Sequence, residues 1–377
     1  MTEDGRMASI KDVAARAGVS ISTVSRHMNK SSYVDEAKAE AVREAMEYYH
    51  YRPSQFGRGL ATKKTDLIGV YLYMLDKNNS GASVFDNAYY LELLKGIEIG
   101  LRGSKYGIVI LTEDPDYWKR PENTPKYIDY FRERKVDGLI LAGLSDRIMK
   151  KSTFDEMTKE RFPLVYIGRK QHRTGMNVYA GFTQYHVEMV RYLYEAGHRK
   201  IWMGLLELHA GYSSEIMRKV REQFPDADLH IDVGTVDVEI SQIAQMLKEH
   251  YTAVCTSSML GAQSIYLYCA ENGVRIPEDL SLISIGSSPE EGKDLQPRPT
   301  FMCTYTQRMG KSAASMMAEA IDSGELDTKS VEFQSELIEG ESVAKKRAMP
   351  RIYSLNQKNI RKSVNCQIRT KAGMNHE

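Results

Sequence analysis

Apolar residues recur at helical spacing near the start of the chain, where Ile10, Val13, Ala14 and Ala17 fall on one face. Ser9 precedes that run and Asp12 stands three residues on, a capping-box-like pair that predicts the helix start. Gly18 and Val19 end the helix. A second short helix, capped by Ser20, is predicted to about Asn29. A third is predicted from about Asp35, with Ala41, Val42, Ala45, Met46 and Tyr49 on its buried stripe, and Pro53 closes the unit. From Asp66 the period changes. Short apolar runs at Leu67–Leu75, Ile108–Thr112, Gly138–Ala142 and Leu164–Gly168 alternate with amphipathic stretches. Such runs predict buried parallel strands with helical crossovers, hence an α/β doubly wound sheet. The pattern restarts after Ala196, at Ile201–Leu206, Leu229–Val233, Ala253–Thr256 and Leu282–Ile285, so two similar α/β lobes are expected. From Ala348 periodicity is lost among Lys, Arg, Asn and Gln, which predicts a basic disordered tail without a leucine heptad.

A chain of 377 residues has room for two or three domains, and 42% hydrophobic with 27% charged residues is ordinary for a globular protein. The longest apolar run, Leu67–Leu75, is far short of the roughly 20 residues of a spanning helix. Met1–Arg6 is polar and carries no signal-peptide core, and Cys255, Cys269, Cys303 and Cys366 have no zinc or redox spacing. A reduced, cytoplasmic protein is the expectation. The net charge of +1 conceals an asymmetry: +3 over residues 1–64, +8 over residues 345–377 and −10 between them. An acidic body with basic ends suits a protein of which a small part touches a polyanion.

The first two helices, joined by a glycine-containing turn, read as a helix-turn-helix. Val13, Ala14, Val19 and Val24 would pack them together, leaving Ile21, Ser22, Ser25 and Arg26 to project from the second. Small residues let a helix sit close in a major groove, and an arginine fork matches the guanine edge. Ser20, Thr23, Ser25 and Asn29 suit phosphate oxygens. An ordinary helical hairpin with a solvated face is the competing reading.

The segment Ile10-Lys-Asp-Val-Ala-Ala-Arg-Ala-Gly-Val-Ser20, followed by Thr23-Val-Ser-Arg26 and Asn29, resembles the lactose-repressor (LacI/GalR) family of bacterial regulators. Tyr51-Arg-Pro53, the stretch Gly59 to Gly69, Leu91 to Glu98, Val136 to Ile140, Gly197-His-Arg199 and Pro277 to Ser281 resemble it as well, so the likeness runs from Met7 to about Arg347. Met7 resembles the family's usual start. The resemblance implies a helix-turn-helix headpiece over residues 1–53, a hinge over 54–65, and a two-lobed core like periplasmic binding proteins. The N-terminal lobe is expected at 66–169 and 306–326, the C-terminal lobe at 170–305 and 327–345, and the tail at 346–377. It implies a homodimer on a pseudo-palindromic DNA operator, a hinge that contacts DNA through Ser54 and Gly57, and a leucine, Leu60, wedged into the minor groove. Gly57 and Gly59 depart from the family's better helix formers, each at a cost of about 1 kcal/mol of helix propensity.

The core departs further. Ser257-Ser258-Met259 stands where Ala-Asn-Asp is usual, and Ser284-Ile-Gly-Ser287 where Gly-Phe/Tyr-Asp-Asp is usual. Val178-Tyr-Ala-Gly181 replaces an Asp-Asn pair, and His209–Ile216 holds no arginine. These losses argue against a plain sugar. Tyr89, Tyr90, Tyr117 and Trp118 border the expected cleft, and Asp76, Asp146, Arg169, Ser258 and Ser287 are candidate polar contacts for a small-molecule effector, such as a modified sugar. No catalytic motif, metal spacing or cofactor loop is present; His172, His186 and His198 read as surface or helix-end residues. The expected function is a transcription regulator, most simply a repressor, gated by that effector. Gating by a protein partner, or by nothing, is the alternative, and an enzyme or carrier on the α/β core is the more distant one.

Overall fold

The structure is a computed structural model that describes residues 8–29, 33–52, 64–73, 84–113, 123–143, 151–168, 175–234, 240–326 and 329–344. Ser54, Gly57, Leu60 and the tail lie outside the described residues. The chain divides into two compact units, the first of residues 1–66 with 134–136 and the second of the rest.

The first unit holds α1 (Ile10–Arg16), α2 (Ile21–Asn29) and α3 (Glu36–Tyr48). Asp12 accepts from the Ser9 backbone N–H and hydroxyl, both at 2.7 Å, so the start of α1 is tied from the acid's side. Gly18 takes φ +64, donating its N–H to Ala15 O at 3.3 Å while Val19 donates to Ala14 O at 3.1 Å. That paired closure satisfies two end carbonyls and needs a left-handed residue, which glycine supplies without strain. Ser20 Oγ then accepts from Thr23 N–H at 3.2 Å and starts α2. Val13, Ala14, Val24, Val42 and Ala45 form the buried centre, with Met46 and Tyr49 packed against it, as the helical spacing predicted.

The second unit begins with β1 (Leu67–Leu72), α4 (Ala88–Leu101), β2 (Gly107–Leu111), α5 (Lys126–Arg132), β3 (Gly138–Ala142), α6 (Lys151–Lys159), β4 (Leu164–Gly168) and β5 (Met176–Ala180). It continues through α7 (Phe182–Glu195), β6 (Lys200–Leu206), α8 (Ser213–Gln223), β7 (Asp228–Gly234), α9 (Ile240–Lys248), β8 (Ala253–Cys255), α10 (Met259–Asn272) and β9 (Ser281–Gly286). It ends with β10 (Thr300–Cys303), α11 (Thr306–Ser323), β11 (Ser330–Phe333) and β12 (Glu336–Ile338). One sheet has the order β11-β5-β4-β3-β1-β2 and is parallel throughout; the other has the order β12-β10-β9-β8-β6-β7, with β12 alone antiparallel.

Two lobes were expected, but their division differs from the expected boundaries. Residues 176–180 and 330–333, assigned by sequence to the C-terminal lobe, pair in the first sheet as β5 and β11. Both are short and mixed in character, so periodicity alone does not claim them for either sheet. His186 and His198, read as surface or helix-end residues, are 0% and 1% exposed. Helix α7 is covered along the face that carries His186, and His198 Nδ1 pairs with Thr252 Oγ1 at 2.9 Å.

Helices α4 and α11 pack at backbone distance. A Cβ at Gly96 would run into the Gln307 carbonyl, one at Gly310 into the Leu93 carbonyl, and one at Gly100 would stand 2.7 Å from Lys311 O. No side chain fits between, so glycine is required for contact rather than for flexibility. Gly310→Ala should therefore destabilise the core by about 1–3 kcal/mol, the usual cost of overpacking. Urea unfolding of the full chain checks this; an unchanged midpoint would show that the helices separate freely.

Candidate nucleic-acid interface and inter-lobe crevice

Val24 is fully buried and fixes which way α2 faces. Ser22 and Arg26 are then exposed on the opposite side and Ile21 is exposed at the helix start, with Thr23 and Ser25 half-buried beside them. Ser20 Oγ lies 2.7 Å from Ser22 Oγ and 2.9 Å from Thr23 Oγ1, a small array of hydroxyls at the helix N-terminus. Hydroxyls at a helix N-terminus and an exposed guanidinium on the same helix match phosphates and a base edge. Arg16 stacks its guanidinium 3.3 Å over the Tyr48 ring, joining α1 to α3.

In open parallel sheets, ligands bind beyond the carboxyl ends of the strands, where the strand order reverses. That point lies between β1 and β3 in one sheet and between β6 and β8 in the other. Tyr90 occupies the first: its hydroxyl donates to the Tyr73 carbonyl, just past β1. Gly143 makes room at φ +78, since a Cβ there would stand 2.7 Å from the Tyr90 hydroxyl. Gly168, at φ +106, likewise leaves space for the Tyr89 hydroxyl. Burial raises the pKa of both tyrosines, so they stay neutral. Asp76, Trp118, Asp146 and Arg169 lie outside the described residues, as does Tyr117.

At the second point the hydroxyls are used internally. Ser258 caps α10, its Oγ accepting from Gly261 N–H at 3.1 Å. Thr256 Oγ1 donates to Ser284 Oγ at 2.8 Å, which donates to the Ser258 carbonyl at 2.9 Å. Ser257 Oγ donates to Gly204 O at 2.8 Å. Ser287 is buried, its N–H donating to the Glu291 carboxylate. Burial raises the Glu291 pKa, opposed by the Ser287 and Ser288 N–H groups.

Sequence reasoning missed the aromatic cluster at the start of α7. The Phe182 ring lies 4.1 Å from His209, 4.3 Å from His186 and 4.4 Å from Tyr212, the last stacked. Tyr185 packs against Phe182 at 5.3 Å and feels Tyr89 electrostatically, so α4 and α7 approach there. His186 Nδ1 bonds to Phe182 O at 2.8 Å, while Nε2 has no partner among the described residues. Burial holds its pKa down to about 4, with the Phe182 carbonyl bond pulling the other way. No grouping of His, Cys, Asp and Glu suited to a metal occurs among the described residues, and no described helix is long and apolar enough to cross a membrane.

Residues 9–54 match the pattern of bacterial regulatory proteins of the lacI family, and residues 190–343 match a periplasmic binding protein-like domain. The HTH-type transcriptional repressor PurR of Klebsiella pneumoniae (strain 342) is 28% identical over 90% of this chain and 97% of its own length. A Lac repressor dimer bound to operator and the anti-inducer ONPF superposes with a TM-score of 0.70 at 19% identity, over 90% of this chain and 100% of that one. A LacI-family regulator from Silicibacter pomeroyi gives a TM-score of 0.69 at 20% identity, over 89% and 99%. The chain thus joins a lacI-type helix-turn-helix domain to a periplasmic binding protein-like domain and is a DNA-binding transcriptional regulator.

The buried imidazole makes the core acid-sensitive. His186 is held neutral in the fold and has an ordinary value of 6.5 when free, so its contribution is complete above pH 6.5 and is lost as the pH falls toward 4. At about pH 4.5 this group should cost the native state about 2–3 kcal/mol. His186→Phe should lose correspondingly less stability between neutral and acid pH in urea titrations. Equal losses in both proteins would place the acid sensitivity elsewhere.

Proposed function

We propose that the chain is a transcriptional repressor that binds a pseudo-palindromic operator as a homodimer and is gated by a small molecule between its two core lobes. The observation that carries the reading is the exposed face of α2, with Ile21, Ser22 and Arg26 outward over a buried Val24. In this reading Arg26 donates to a guanine, while Ser20, Thr23, Ser25 and Asn29 hold phosphates. Ser54, Gly57 and Leu60 make the hinge contacts, with Leu60 wedged into the minor groove. Action on DNA places the protein in the cytoplasm, and its regulator relatives favour a binding function over catalysis.

The second copy has a surface to meet. On α10, Leu260 and Leu267 are 69% and 61% exposed and lie two turns apart on one face, while Ile265 and Cys269 are buried on the other. An apolar stripe of that kind in an otherwise polar surface suits a homodimer contact.

The crevice favours a ligand with a flat, apolar part. Tyr89, Phe182, Tyr185 and Tyr212 supply a mostly buried group of rings, and the Thr256, Ser257 and Ser284 hydroxyls are bonded to one another and to the Gly204 and Ser258 carbonyls. A plain hexose would find few side-chain partners, each missing one costing about 1–3 kcal/mol. The stacking of Phe182 on Tyr212 also favours a second reading, in which the crevice is filled by the protein itself and no small molecule gates it.

Selection of duplexes from a random library tests the DNA reading directly. Once an operator is known, Arg26→Ala should weaken its binding by about 1–3 kcal/mol and relax specificity at one position. Equal losses on operator and random DNA would assign Arg26 to phosphate alone. Leu260→Lys with Leu267→Lys should convert the dimer to monomer in sedimentation and weaken operator binding while the core stays folded; a dimer that persists would move the interface elsewhere. Calorimetric titration with hexoses, ribose, gluconate and nucleosides should show no micromolar binding by a plain hexose, and such binding would overturn the ligand reading.

A further inference from the structure

Ile21 is the first residue of α2 and is 45% exposed, next to the exposed Ser22 at the N-terminal end of the helix. The buried centre of this unit is small, consisting of Val13, Ala14, Val24, Val42 and Ala45, yet an isoleucine is left outside it. A β-branched residue gains nothing from helix propensity at that place. Its polar neighbours are drawn together, Ser20 Oγ bridging Ser22 Oγ at 2.7 Å and Thr23 Oγ1 at 2.9 Å, so the sec-butyl group projects beside them. In the major groove, hydrogen-bonding groups line every base pair, and the apolar feature is the C5-methyl group of thymine. Arg26 stands five positions after Ile21, and at a helical rise of about 1.5 Å per residue this is about 7.5 Å along the helix axis, or about two base-pair steps.

We infer that Ile21 reads a thymine C5-methyl group in each operator half-site, about two base pairs from the guanine contacted by Arg26. The inference rests on the reading of α2 as the recognition helix. Leaving one methylene-sized group unburied corresponds to about fourfold in affinity, so removing the methyl from both half-sites corresponds to about fifteenfold.

The experiment uses the full-length protein and an operator selected from a random duplex library. Each thymine is replaced in turn by deoxyuridine, which deletes the methyl group and leaves every hydrogen-bonding group in place. One position per half-site should lose about fourfold on this replacement, and the paired replacement about fifteenfold. Ile21→Ala should bind the thymine and deoxyuridine operators equally, whereas Arg26→Ala should retain the discrimination. Alanine is the better helix former and Ile21 is nearly half exposed, so the variant should keep its far-ultraviolet dichroism. Failure to enrich any sequence would overturn the DNA reading and the inference with it. An enriched operator that tolerates deoxyuridine everywhere would overturn the inference alone. So would discrimination that survives in Ile21→Ala.

Discussion

Backbone contact between α4 and α11 is the constraint on which the core's arrangement rests. Gly96 meets the carbonyl of Gln307, and Gln307 is the second residue of α11, immediately after the chain has crossed between sheets at Cys303–Thr306. The same α4 carries Tyr89 and Tyr90 in its first turn. One glycine-lined contact therefore sets two things at once: where the crossover leaves the second sheet, and where the tyrosines reach the carboxyl ends of β1, β3 and β4. The crossover itself is held from the far side. Tyr305 adopts φ 50, unusual for a residue with a side chain, and its hydroxyl donates to Glu336 at the start of β12. Arg308 lies 4.0 Å over the same ring. A strained residue survives where its surroundings over-determine it.

The first unit solves a different problem. So small a domain buries too little to be rigid through its core alone, so closures at helix ends carry much of its definition. Gly18 and His50 both take positive φ, and both are followed by a residue whose N–H returns to a carbonyl in the last turn of the helix. The stack of Arg16 on Tyr48 adds a tie outside the core. With α1, α2 and α3 so fixed, the face of α2 opposite Val24 is free of structural duty and available for recognition.

Much of this was legible in the sequence because it is local. The pair Ser9 and Asp12, the break at Gly18, the cap at Ser20 and the apolar runs of β1, β3, β4 and β6 each declare themselves within a few residues. The missed strands β5, β10, β11 and β12 have three to five residues each, and their sheet membership is settled by partners far along the chain. Likewise, nothing near Phe182 in the sequence announces that His209 and Tyr212 close on it from the loop after β6. His186 looked like a surface residue because a single histidine carries no sign of what covers it.

The contrast between sequence and structure bears on what the crevice can hold. Ser258 and Ser287 were expected as candidate polar contacts for an effector, but the groups at these strand ends are already bonded within the protein. Ser258 caps α10, Ser284 links Thr256 to the Ser258 carbonyl, and Ser287 is bound through its backbone to Glu291. A ligand hydroxyl entering there must first break a bond already satisfied, so its net gain is small. The aromatic side differs: rings gain by contact area, and one ring can replace another without leaving a polar group unpaired. Displacing Phe182 from Tyr212 by a flat ligand would exchange like for like. On the proposed reading, the ring cluster around Phe182 favours a flat ligand over a ring of hydroxyls.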